Sequence, residues 1–166
     1  MVTTIEQYPL HRNKIMKKFL GSMFGWIIFS ALICFVLAFM FQFQFVSVVL
    51  LFFGLLILFA AWQWFYENKY FDAYFYNVDT DFLIIKKGWI TPRETVLPYE
   101  KLQDVYMDQD ILDRIFGLWD VHVSTATMMS GASAHIDGVN GENANKIRNL
   151  LLEKVRGKQK KVTGYD

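Results

Sequence analysis

The chain has 166 residues, enough for one small domain and a membrane anchor but not for several domains. Lys and Arg number 17 against 16 Asp and Glu, so the net charge is +1 and the composition gives no support to nucleic-acid binding. Apolar residues make up 54% and aromatics 17%, and they are not spread evenly.

Residues 1–18 form an arm carrying Arg12, Lys14, Lys17 and Lys18 against a single acid, Glu6. Residues 19–66 then contain no Asp, Glu, Lys, Arg or His, an uncharged run of roughly 48 positions against the ~20 that cross a bilayer core. As one straight helix the run would be ~72 Å long, more than twice the ~30 Å hydrocarbon thickness. It therefore folds back once, at the polar break Gln42, Phe43 and Gln44, giving transmembrane helices over residues 19–41 and 45–66. A helical hairpin satisfies every backbone group within lipid. A cleaved signal peptide is the rival reading, and the length of the first stretch and the second span that follows it stand against it.

The basic arm and the uncharged turn place the N-terminus on the cytoplasmic side of the cell membrane, and two spans return the chain there. Trp62, Trp64, Tyr66 and Tyr70 sit where the second helix leaves the bilayer, at the level that amphipathic rings prefer. The single cysteine, Cys34, lies inside the first span and is compatible with a reducing compartment. Gly21 and Gly25 frame a small-xxx-small pattern, which predicts close packing within the hairpin or, as the alternative, between subunits. No ionisable residue lies in the spans, which argues against an ion or proton pathway.

Beyond Tyr70 the period changes. Tyr74, Tyr76 and Val78 alternate as in a strand, and residues 77–81 read as a turn. Residues 82–87, 93–97 and 102–107 read as three more strands. Residues 111–116 read as a short helical turn capped by Asp110 and stopped by Gly117. Val121, Val123 and Thr125 alternate with His122 and Ser124 in a fifth strand, and residues 134–139 form a sixth after a small-residue loop at 127–133. From Gly141 the period is helical, with Ala144, Ile147, Leu150, Leu151 and Lys154 on one face and Val155 extending the stripe. Residues 67–156 thus form an α+β domain, a small antiparallel barrel or sandwich plugged by its C-terminal helix. Residues 157–166 read as a disordered polar, basic tail.

Residues 76–150 resemble the bacterial pleckstrin-homology-like domain of the second type, as found in YdbS-like membrane proteins. The residues that carry the resemblance include Lys87 and Gly88, Pro98, the run Lys101-Leu102-Gln103-Asp104-Val105, the run Arg114-Ile115-Phe116-Gly117-Leu118, Thr125 and Ala126, and Gly138 and Val139. The two preceding spans match the architecture of that family as well. The sequence departs from the usual pattern at Phe82, Trp119, Met128 and Met129. The resemblance implies a PH-like barrel with a C-terminal helix. It implies no catalytic activity and no cofactor, but a membrane-bound adaptor, often acting beside a larger homologue.

The residues themselves carry no catalytic constellation. His122 and His135 are the domain's only histidines, and His122 falls on the strand face opposite Val121 and Val123. It reads as a solvent-facing or hydrogen-bonded structural residue, with no spaced metal-ligand pair or cysteine beside it. Asp104, Asp108, Asp110 and Asp113 read as solvated or capping acids. From Glu67 to Lys154 there are nine basic and fourteen acidic residues, so the domain as a whole is not drawn to anionic headgroups. The exceptions are Lys86, Lys87 and Trp89 at a hairpin tip, the candidate lipid contact, and the tail residues Lys154, Arg156, Lys158, Lys160 and Lys161.

The expectation is a membrane-anchored, non-enzymatic adaptor or scaffold that meets a protein partner, a larger homologue or its own copies at the cytoplasmic face. Its candidate interaction surface spans residues 93–119, with Arg93, Lys101, Gln103, Asp104, Arg114 and an exposed Trp119. The alternative is an anionic-lipid-binding or envelope-stress and antimicrobial-resistance module.

Overall fold

The computed structural model describes residues 3–42, 44–125 and 134–163, with backbone only at 159–163. The chain divides into two compact units, one of Ile15–Phe71 and one that joins Met1–Lys14 to Asp72–Asp166. The loop expected at 127–133, the family-matching Ala126 and the departures at Met128 and Met129 fall outside the described residues.

The first unit is a two-helix transmembrane hairpin. Helix α2 runs Asn13–Phe41 and helix α3 runs Phe45–Asp72, both long and apolar enough to cross a membrane. (Helix α1 is the short Thr4–Gln7 turn described below.) The helices outrun the predicted spans by six residues at the N-terminal end of α2 and by six at the C-terminal end of α3. The uncharged run measures hydrocarbon thickness, whereas helical hydrogen bonding continues through the charged flanks. Gln42, with φ of +48°, ends α2 in the left-handed region, and the Gln44 carbonyl accepts the first bonds of α3 from Ser47 and Val48.

Facing rings hold the pair together. Trp26 stacks on Phe59 with centroids 4.3 Å apart, and Phe19 meets Trp64 edge-on at 5.7 Å. The Trp26 indole donates to Gln63 Oε1 (3.2 Å), and Gln63 Nε2 donates to Glu67 Oε1 (2.8 Å). Ser30 and Cys34 are buried in the helix contact, while Phe24, Phe35 and Phe39 point outward. Gly21 and Gly25 are exposed too, and a Cβ built on Gly25 would meet nothing within 4 Å. The small-xxx-small pattern therefore does not pack the hairpin together, because aromatic stacking does so on another face.

The second unit is a two-sheet domain. Strands β1 (Phe75–Val78), β2 (Phe82–Lys87) and β3 (Arg93–Pro98) form one antiparallel sheet in that order. A 3-10 turn at Tyr99–Lys101 leads to β4 (Leu102–Asp108), which pairs with β5 (Leu118–Thr125), and β5 pairs in turn with β6 (His135–Asn140). Register runs from Val78 opposite Leu83 in the first sheet to Tyr106 opposite His122 in the second. Helix α4 (Ile111–Phe116) joins β4 to β5. Asp110 accepts from the Asp113 N–H at 2.7 Å, and Gly117 closes the helix at φ +68°. Helix α5 (Gly141–Thr163) starts from Asn140, whose Oδ1 accepts from the Asn143 N–H.

The core lies between the sheets and α5. Leu83, Ile85, Leu97, Leu118, Val121, Val123, Ile136 and Val139 are buried from the strands, and Ala144, Ile147, Leu151 and Val155 from the helix. Those four helical positions recur at three- and four-residue steps, which gives the apolar stripe one face. Leu150 and Lys154 sit at its margin. Helix α5 extends to Thr163, so residues 157–163 are helical rather than a disordered tail.

The N-terminal arm is not a free basic segment either. Its first part belongs to the two-sheet domain. The Thr4 hydroxyl donates to Asn77 Oδ1 and accepts from the Val78 N–H, each near 3.0 Å. The Tyr76 hydroxyl donates to the Tyr8 carbonyl, and the His11 N–H donates to the Gly138 carbonyl at 2.8 Å. The arm thereby covers β1 and reaches β6.

Candidate interaction surface

Of the four outer strands, β1 donates from the Val78 N–H to the arm and β6 accepts from the arm at the Gly138 carbonyl, whereas β3 and β4 have no further strand partner among the described residues. Their free edges meet at the Tyr99–Lys101 turn, which is pinned by the buried Tyr99, whose hydroxyl donates to the carbonyls of Asp79 (2.8 Å) and Phe82 (3.1 Å). Burial pushes the Tyr99 phenol above its ordinary range, and Asp79 and Asp81 add to the effect. Glu94 and Val96 on β3, Lys101 in the turn, and Gln103 and Asp104 on β4 are all exposed. An unpaired edge of this kind offers N–H and C=O groups to an incoming strand.

The residues expected to share one surface are spread over three places. Lys101, Gln103 and Asp104 lie together at the β3–β4 corner. Arg93 is at the far end of β3, about 17 Å away along the strand at ~3.4 Å per residue. Arg114 and Trp119 lie past the opposite end of β4. Arg114 is exposed, but Trp119 is half-buried rather than exposed, because its indole Nε1 packs where a Cβ on Gly141 would come within 2.9 Å.

The hairpin-tip residues also separate. Lys86 pairs with Glu94 at 3.1 Å, both half-exposed. Lys87 turns inward to Asp137 at 3.4 Å and over the Tyr74 ring. Trp89 remains partly exposed beside the more exposed Ile90. Lys158 pairs with Asp81, a contact that holds the lysine above its usual range, and the side chains of Lys160 and Lys161 are not described.

Sequence reasoning missed the cluster around Asp137. Lys14, only 2% exposed, lies 3.1 Å from Asp137 Oδ1 and 3.6 Å from the Tyr74 ring centroid. With Lys87, itself partly buried, it joins a group that includes two ammoniums, one carboxylate and one aromatic face among the described residues. Gly138, at φ +80°, lets the Lys14 stem pass, since a Cβ there would come within 2.6 Å of Lys14 Cδ. The one available signal was a lone acid between apolar neighbours in the β6 sequence. Both lysines are thus committed to holding the domain together.

The second sheet's outer face carries a polar row. The His122 ring is stacked between Tyr106 (5.0 Å) and His135 (5.2 Å), and its Nε2 lies 3.0 Å from Asp108 Oδ1. His122 is therefore hydrogen-bonded on the face opposite the buried Val121 and Val123. Asp108, Asp120 and His122 offer donor atoms within 4.8 Å of one another, the one such group among the described residues. Asp120 Oδ1 also accepts from the Gly138 N–H at 2.8 Å. Two open clefts flank α5. One, of about 360 Å³, lies between α1, the β1–β2 turn and α5; the other, of about 230 Å³, is lined by Thr80, Glu153 and Lys158 among others. Both are wide-mouthed and mixed in charge.

Two apolar spanning helices followed by paired antiparallel sheets closed by one helix define a membrane protein with a PH-like domain. The bacterial PH domain family matches residues 24–155, from within the first span to the middle of α5, and the chain belongs to that family. No curated protein and no solved structure matches it.

Proposed function

We propose that the chain is a non-enzymatic, membrane-anchored adaptor that binds a protein partner, or a second copy of itself, through the open β3–β4 edge on the cytoplasmic face. The observation that carries this reading is the unequal treatment of the four outer strands. The arm bonds two of them, and the other two have no further strand partner among the described residues, at a corner beside Lys101, Gln103 and Asp104. Strand addition uses main-chain hydrogen bonds for affinity and flanking side chains for selection, which suits a surface with shallow clefts and exposed edges. PH-like domains are generally non-catalytic binding modules, in keeping with this reading. The cytoplasmic orientation is supported by the exposed Arg12 and Lys18 before the first span and by Lys69 after the second.

The test places a photocrosslinking residue at Val96, Gln103 or Asp104 of the full-length protein in native membranes, with Asn145 on the exposed side of α5 as control. The expected result is one discrete adduct from the edge positions, that from 96 or 103 being lost on Asp104→Arg, and none from Asn145. Equal adducts at all positions, or none at any, would overturn the reading.

A further inference from the structure

The outer face of the second sheet sets two aspartates against each other. Asp108 ends β4 and is the register partner of Asp120 on β5. Like charges directly across an antiparallel pair repel, so this pairing is unfavourable without a cation between them. His122 lies two residues beyond Asp120 and so on the same side of the sheet. Its Nε2 is 3.0 Å from Asp108 Oδ1. One donor atom from each of the three residues falls within 4.8 Å of the other two. A protonated imidazole offsets one carboxylate, whereas a divalent cation held by all three offsets both.

The group is braced from outside. The His122 ring is stacked between Tyr106 on β4 (5.0 Å) and His135 on β6 (5.2 Å), which fixes its plane. Asp120 Oδ1 accepts from the Gly138 N–H at 2.8 Å. That amide is brought there by the register shift between Trp119 and Val121 and by the left-handed backbone of Gly138. Outer contacts of this kind orient metal ligands. The Asp108 side chain, 57% exposed at the strand end, has room to turn. Ligands about 2.1 Å from one ion lie about 3.0–3.5 Å apart, so the His122–Asp108 separation already fits and small side-chain rotations close the rest. An imidazole nitrogen with two carboxylates suits zinc(II) or copper(II), whereas calcium and magnesium take oxygen ligands. Three protein ligands leave a further position for water.

We propose that Asp108, Asp120 and His122 form a surface site for a divalent transition metal of the zinc class, which clips the end of β4 to β5. The site does not depend on the adaptor reading, since it uses none of Lys101, Gln103 and Asp104.

The test titrates zinc(II) into tag-free full-length protein in nanodiscs of zwitterionic lipid, read by calorimetry. The expected result is one saturable site per chain, weakened about tenfold or more by His122→Gln or Asp120→Asn and unchanged by His11→Gln or Asp104→Asn. Asp120→Asn keeps an oxygen for the Gly138 N–H, and Asp108→Asn repeats the test at the most exposed position, where folding is least at risk. Zinc should also raise the urea midpoint of the wild-type domain and not that of His122→Gln. With copper(II) as probe, pulsed electron paramagnetic resonance should show nitrogen modulation from a bound imidazole, lost in His122→Gln. No saturable binding, or binding that none of the three site variants weakens, would overturn the proposal. Calcium or magnesium held as tightly as zinc would overturn it in favour of an acidic surface without a metal-selective site.

Discussion

Replacing Asp137 by Ala would remove a carboxylate that lies 3.1 Å from Lys14, which is 2% exposed, and 3.4 Å from Lys87. The Lys14 ammonium cannot reach water without dragging its stem off Gly138 and out from beside Tyr74. Removing one partner of a buried ion pair costs about 3–5 kcal/mol, mostly the penalty of the orphaned charge. At a urea slope of about 2 kcal/mol per M, that is a midpoint shift of roughly 2 M. Lys14→Met should cost less, about 1–2 kcal/mol, because Asp137 keeps Lys87. Lys14→Met placed on top of Asp137→Ala should recover part of the loss, since the buried ammonium is then gone. The assay is urea-dependent proteolysis of the full chain in nanodiscs, where the hairpin stays folded and only the domain opens. Equal costs for the two single variants, or a cost below about 1 kcal/mol for Asp137→Ala, would refute a buried, charge-matched cluster.

Other consequences are smaller but equally direct. Gly138→Ala must adopt φ +80° and displace the Lys14 stem, so it should destabilise the domain by more than the ~1 kcal/mol typical of a point substitution in the same urea assay. Thr4→Val removes a hydroxyl that both donates and accepts, so it should cost about 1–2 kcal/mol and expose the arm to protease before the rest of the domain opens. Asp110→Ala removes the cap of α4 and should cost about 1 kcal/mol, seen as faster amide exchange confined to residues 111–116. Burial raises the Tyr76 and Tyr99 phenols above the ordinary phenol value of about 10. Their contribution to stability is therefore intact below pH 10 and is lost as the pH climbs through the raised native values. An alkaline absorbance titration should show two tyrosines ionising only with unfolding, and Tyr99→Phe should move that unfolding to higher pH.

The elements that sequence periodicity could reach were those in which one face decides the structure. The strands over residues 82–87 and 102–108, the α4 helix with its Asp110 cap and Gly117 stop, and the apolar stripe of α5 all follow from local pattern. The uncharged run disclosed the hairpin but not its helix ends, because the flanking charges leave lipid without leaving the helix. What stayed hidden was long-range. Lys14 reads as a membrane-flanking cation until Asp137, more than a hundred residues away, is brought beside it, and Lys87 reads as a lipid contact for the same reason. Trp119 reads as exposed because nothing local reveals that Gly141 makes room for its indole. The candidate surface was legible at its corner, where Lys101, Gln103 and Asp104 are consecutive or nearly so. It was not legible over its full extent, because the intervening strand carries Arg114 and Trp119 to the other end of the sheet.

The claim on which the rest depends is that α2 and α3 cross a bilayer and bring both ends of the two-sheet domain to one side. Single cysteines at Arg12, Gln44 and Gln103 in a Cys34→Ala background, probed in intact cells with a membrane-impermeant maleimide, test it most directly. The account predicts labelling at 44 from outside, with 12 and 103 protected until the membrane is opened. Labelling of 44 together with 103, or of 12 apart from 103, would contradict it.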